Sequence, residues 1–178
     1  MKKTLLFLSA LAAIALPLTA KEYKLPKEDS IFSISFPDKW EVTYEDESVD
    51  ALSPDKAVEI YAQTDDAETI EDSVKETIKY LDEQGVKLKP DTQSETEGEH
   101  NGMKLSTIGW KGTDEDGDCT VSLVFIQVTD DIAISLVYWA TDDMVKKHQK
   151  DIEGVLDSMK SLAAKKGKKA ADDEDEAK

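Results

Sequence analysis

The sequence predicts an α+β domain built on an antiparallel β-sheet with an amphipathic helix on each face. Three observations carry that prediction. First, Cys119 to Val128 and Ile132 to Ala140 are apolar on both alternating faces, so both faces of their sheet must be covered. Second, the short Thr129-Asp130-Asp131 connection makes those two strands antiparallel neighbours. Third, two segments, Thr69 to Gln84 and Asp142 to about Ala164, place apolar residues at helical spacing.

Each element follows in chain order. Phe32, Ile34 and Phe36 alternate with Ser33 and Ser35, the pattern of a half-buried strand, and Pro37-Asp38-Lys39 reads as a turn. Trp40, Val42 and Tyr44 resume the alternation. Glu45 to Pro54 reads as an acidic loop, and Ala57 to Ala62 as a strand with Val58 and Ile60 on one face. The first helix presents Ile70, Val74, Ile78 and Leu81. Cap candidates lie in Asp65 to Thr69, Glu71 and Asp72 suit the positive helix start, and Gly85 provides a stop. A weakly apolar strand within Val86 to Glu97 meets Met103 to Lys111 across Asn101-Gly102, a strong hairpin signal. Asp114 to Asp118, containing Gly117, reads as the next turn. The last helix takes Thr141 as N-cap, and its inward stripe is Val145, His148, Ile152, Val155, Leu156, Met159 and Leu162.

The ends of the chain differ from its middle. Lys2 and Lys3, the apolar run Thr4 to Leu16 and the small-residue ending Pro17-Leu18-Thr19-Ala20 form a bacterial secretory signal, with cleavage expected after Ala20. The run is shorter than the ~20 residues a membrane span needs. The expected organisation is therefore a signal peptide over 1–20, a single domain over 21–164 and a disordered tail over 165–178. That tail joins a lysine block, Lys165 to Lys169, to an acidic block, Asp172 to Glu176, and holds no apolar residue larger than alanine. The implied location is periplasmic or secreted, with no membrane span once the signal is removed.

Composition narrows the partners. The chain has 22 basic residues against 39 acidic and a formal net charge of −17; every basic residue is lysine. Loss of Lys2 and Lys3 with the signal takes the charge to about −19. Such a field repels nucleic acid and anionic lipid, and without arginine there is no bidentate guanidinium clamp for phosphate. Cys119 is the only cysteine, so no internal disulfide can form, and its strand setting predicts a buried, inert thiol.

The segment Phe32-Ser33-Ile34-Ser35-Phe36-Pro37-Asp38-Lys39-Trp40 resembles the opening hairpin of PsbP-like domains, where an aromatic alternating strand ends in Pro-x-x-Trp. Val155-Leu156-Asp157-Ser158-Met159-Lys160-Ser161-Leu162 is similar to that family's final helix, and the resemblance spans roughly Tyr23 to Leu162. It implies an α/β/α sandwich, a fold shared with the exported DcrB protein and the Ran-binding Mog protein. It also implies an accessory or interaction role rather than catalysis.

Candidate chemistry is sparse. Asp114-Glu115-Asp116-Gly117-Asp118 fails as an EF-hand, since aligning Gly117 puts Gly112 first and Leu123 twelfth, neither a ligand. The strand order nevertheless brings that turn to the same end of the sheet as Asp142 and Asp143, where a cation or basic partner could dock. His100 is expected to be exposed in its turn and His148 packed on the helix. No nucleophile elbow and no zinc spacing exist, so no catalytic residue, metal ligand or cofactor is assigned. Trp40, Trp110 and Trp139 are expected in the core, with a ligand platform as the alternative, and Gly109 could mark a bulge re-aiming Trp110. The expected function is an exported non-catalytic module that binds a cell-envelope protein. A periplasmic small-ligand or lipid binder with a cavity between sheet and helix is the alternative, and a hydrolase using His100 or His148 ranks last.

Overall fold

The computed structural model describes residues 19–66, 70–129 and 132–163. The expected signal up to residue 18, the expected turn residues Asp130 and Asp131, part of the expected first-helix cap region and the expected tail lie outside the described residues. Among the described residues ten strands and two helices follow one another: β1 (Ala20–Leu25), β2 (Phe32–Pro37), β3 (Glu41–Tyr44), β4 (Ser48–Leu52), β5 (Glu59–Asp66), α1 (Ile70–Glu83), β6 (Lys87–His100), β7 (Met103–Asp114), β8 (Gly117–Gln127), β9 (Ile132–Thr141), α2 (Asp142–Ser158) and β10 (Lys160–Ser161).

The strands form two antiparallel sheets rather than one. The larger has seven strands in the order β3-β4-β5-β9-β8-β7-β6, and the smaller has three in the order β1-β2-β10. The Pro37–Trp40 turn is therefore no hairpin. It carries the chain from the small sheet to the edge of the large one, with Trp40 N–H bonded to Pro37 C=O at 2.9 Å. Phe36 and Trp40 remain neighbours, their rings 6.3 Å apart.

The doubly apolar strands sort their faces as the alternation requires. Val121, Leu123 and Phe125 of β8 join Ala133, Val137 and Trp139 of β9 in one cluster, with Leu81 of α1 and Trp110 of β7. Val124, Ile126, Ile134 and Leu136 join the opposite cluster, with Ile34 and Phe36 of β2 and Ile152 and Val155 of α2. The second cluster is thus shared between α2 and the small sheet.

Three local expectations are corrected, and one strand, β1, is added. The acidic loop holds β4, whose Val49 and Ala51 are fully buried. β1 is a full strand in register with β2 from Ala20↔Pro37 to Leu25↔Phe32. The last helix stops at Ser158, because Met159 turns to φ −60°, ψ 131° and the chain pairs Lys160 and Ser161 with β2. The stop is tertiary: Ser158 Oγ accepts from Ser35 N–H at 2.7 Å, across 123 residues. Finally, α1 is rolled about its axis. Leu81 is fully buried and Val74 partly, but Ser73 and Thr77 are buried too, while Ile78 is 42% exposed.

The turn signals act as read. Gly85 has φ +83°; its N–H bonds Asp82 C=O while Val86 N–H reaches back to Leu81 C=O, a Schellman closure with Leu81 and Val86 in one cluster. Asn101 and Gly102 have φ +51° and +78°, as a two-residue hairpin turn requires. Edge strand β6 is long and exposed, and Pro90, the register break between Lys89 and Ser94, and Glu95, Glu97 and Glu99 blunt it against further pairing.

Candidate functional site

At the Asp114–Asp118 end of the sheet, Cys119 pairs with Thr141, so the turn and the start of α2 are indeed adjacent. The acids there are already met by lysine. Lys89 Nζ lies 2.7 Å from Asp118 Oδ1, and Lys111 Nζ lies 3.1 Å from Asp142 Oδ1, which also accepts from Thr120 Oγ1 at 2.7 Å. Asp114 Oδ1 accepts from the N–H groups of Asp116 and Gly117, closing its own turn. The small cleft here, about 230 Å³, is lined by Lys89, Lys111, Gly112, Asp118, Cys119 and Asp142. Its two lysines balance its two carboxylates, and no group of three or more His, Cys, Asp or Glu among the described residues could hold a metal ion. Cys119 is buried; burial first, then the Asp114 and Asp118 charges, push its thiol up to about 11, so it is a poor nucleophile.

His148 is buried on α2, but it belongs to a polar strap. Its Nε2 donates to Asp55 Oδ2 at 3.0 Å, and its Nδ1 lies 3.7 Å from Asp151 Oδ2. Lys147 Nζ meets the same Asp55 oxygen at 2.6 Å, and Lys39 Nζ meets buried Asp151 at 2.7 Å. Lys147, then His148, hold the Asp55 carboxyl well below the usual carboxylate range. Asp55 is set by Ser53, whose Oγ donates to it at 2.8 Å and accepts from the N–H groups of Ala57 and Val58. The strap ties the β4–β5 loop and the Lys39 turn to α2. Nothing in the local sequence near Asp55 announced it.

The three tryptophans are core residues: Trp40, Trp110 and Trp139 are all buried. Trp110 Nε1 donates to Gln93 Oε1 at 3.2 Å. The register break lies in β6, across from Gly109 and Lys111, not in the tryptophan's own strand.

Beside α1, Tyr80 stacks on Tyr61 with ring centroids 4.8 Å apart and donates to Glu59 Oε1 at 3.1 Å. Desolvation first, then the Asp50 charge, push Glu59 up to about 7. Neither carboxylate forms an ion pair among the described residues. The narrow cleft under α1, about 270 Å³, is lined by Tyr61, Thr77, Tyr80, Leu123 and Val137 among others.

The apolar concavity lies on the other side, beside α2. Leu105 and Thr107 of β7, Ser122 and Val124 of β8 and Tyr138 of β9 form its floor; Leu156 and Met159 form its wall; its volume is about 440 Å³. Leu105, Tyr138 and Leu156 are only partly buried, so their apolar surface faces the groove. Asn101 closes one end, donating from Nδ2 to the carbonyls of Asp157 (3.3 Å) and Met159 (2.9 Å), and so serves the open C-terminus of α2. That contact brings His100 to the groove mouth, half-buried rather than exposed. Glu153 and Asp157, one helical turn apart, make the lip.

The sheets and helices define a PsbP-like fold: a large antiparallel sheet, a smaller second sheet and two helices. Solved structures share it. CyanoP, the cyanobacterial PsbP of Synechocystis, matches over 87% of this chain and 99% of its own at TM-score 0.53 and 11% identity. LpqN of Mycobacterium tuberculosis, described as involved in cell envelope biogenesis, matches over 80% of this chain and 91% of its own at TM-score 0.53 and 14% identity. A Bacteroides thetaiotaomicron protein matches over 79% of this chain at TM-score 0.52 and 15% identity, and the match spans 48% of that protein's length. No protein-family model matches the chain, and no curated protein matches it by sequence.

Proposed function

We propose that this chain is an exported, non-catalytic accessory module of a bacterial cell envelope, working by binding rather than by turnover. The observation that carries the reading is the disposition of reactive groups. His148, Asp55, Asp118, Asp142 and Cys119 are engaged in structural ion pairs or buried, whereas the concave surface beside α2 is apolar and open. Envelope placement is supported by the signal-like first twenty residues and by the envelope role printed for LpqN. Cleavage after Ala20 is compatible with the fold: Ala20 is exposed, and its loss leaves the Lys21↔Phe36 to Leu25↔Phe32 register intact. The sandwich layering, a helix against each face of the large sheet, fits the membership of Leu81 and of Ile152 in opposite clusters.

Crosslinking in intact cells, followed by affinity purification, tests the role. The reading expects a defined adduct with an envelope protein, and recovery of the monomer alone contradicts it. The groove specifically favours a second reading, a small-ligand binder, since its volume falls in the range of small-molecule sites.

A further inference from the structure

We infer that the groove beside α2 is a binding site for a small cationic amphiphile: an aliphatic body in the trough and an ammonium head at the Glu153–Asp157 lip. The inference deepens the ligand-binding reading above and rests on it.

The body is specified by the lining. Leu105, Tyr138 and Leu156 present apolar surface, backed by the buried Val124 and Met159, and the floor's only polar side chains besides the Tyr138 hydroxyl are the small hydroxyls of Thr107 and Ser122. A groove of about 440 Å³ falls in the range of small-molecule sites and suits one aliphatic chain. Its wall is rigid where it matters, because Asn101 pins the β6–β7 turn to the carbonyls of Asp157 and Met159.

The head is specified by charge. Glu153 and Asp157 are both exposed on the lip, four residues apart on one helix face, and neither forms an ion pair among the described residues. Glu153 is met by a neutral group, Gln149 Nε2 donating to its Oε1 at 2.7 Å, and His100 stands at the same groove mouth. This sets the lip apart from the Asp118–Asp142 end of the sheet, where lysines already stand opposite the acids. Two uncompensated carboxylates beside an apolar trough attract an ammonium and repel a carboxylate or phosphate, and a net charge of −17 reinforces both effects. A fatty acid or anionic phospholipid is thereby disfavoured.

The test uses the purified full chain and three probes of equal chain length below their micellar concentrations: dodecylammonium, dodecanol and dodecanoate, titrated by calorimetry near neutral pH. Dodecylammonium should bind at least about tenfold more tightly than dodecanoate, with dodecanol between them. Glu153→Gln combined with Asp157→Asn should erase the ammonium preference and leave dodecanol binding unchanged. Thr107→Trp, which fills the floor, should abolish binding of all three while a melting curve confirms the fold. No measurable binding, equal binding of dodecanoate, or binding that survives Thr107→Trp would each overturn the inference. None of these results touches the crosslinking test of an envelope partner, so the two proposals fail separately.

Discussion

Replacing Glu59 by glutamine should stabilise the protein above neutral pH and do little at pH 4 and below. Glu59 sits half-buried beside Asp50, and its carboxyl titrates at about 7 in the fold against 4.5 for the free group. Ionising a carboxyl so displaced costs about 3 kcal/mol of folding free energy. Solvent reaches this side chain and screens it, which reduces the figure to roughly 1–2 kcal/mol. The sign follows from the raised value. The unfolded chain ionises Glu59 more readily, so stability tied to this group is fully present below pH 4.5 and is lost as pH rises through about 7. Asp50, also raised by burial, acts in the same direction. The substituted amide retains an acceptor for the Tyr80 hydroxyl, which donates to Glu59 Oε1 in the parent, so the Tyr80–Tyr61 stack should survive. Urea denaturation of both proteins at pH 4 and pH 8 measures the effect. The variant should gain roughly 1–2 kcal/mol at pH 8 and match the parent within error at pH 4. Equal stabilities at pH 8 would refute the argument that burial and Asp50 strain this carboxylate.

Three further outcomes follow from packing and charge. Cys119, buried and held up at about 11, should resist a thiol reagent at pH 8 in the native protein and react at once in denaturant; rapid native labelling would contradict its placement. Lys39→Met should cost roughly 1–3 kcal/mol in a chemical melt, because it leaves the buried Asp151 carboxylate without its 2.7 Å partner. Gly112→Ala should lower the thermal midpoint, since a Cβ there would lie 2.9 Å from the backbone oxygen of Lys87; an unchanged midpoint would show that β6 can move aside.

What the sequence made legible was the periodic part of the fold. Cys119 to Val128 and Ile132 to Ala140 assign their faces by alternation alone, and the structure sorts those side chains into two clusters accordingly. Gly85 and Asn101-Gly102 were legible because positive φ leaves few residue choices. Elements defined by distant partners were not. β4 carries only Val49 and Ala51 inward among acids, and β10 is two residues whose pairing exists only because β2 is there. The end of α2 lacks a local breaker and is fixed by Ser158 bonding Ser35. The roll of α1 escaped because Tyr80, through Tyr61 and Glu59, outweighs Ile78 in setting its face. The groove was illegible for the same reason: it gathers residues from Leu105 to Met159 on four elements and the C-cap of α2, and no single segment carries its pattern.

The most direct measurement replaces Leu156, on the groove wall, by a photoreactive residue of leucine size, and in a second protein Lys79, exposed on α1. Both are irradiated in intact cells and read by intact-mass analysis. A covalent adduct, to a small amphiphile or an envelope protein, is expected at position 156 and none at 79. Unmodified monomer at both positions would contradict it.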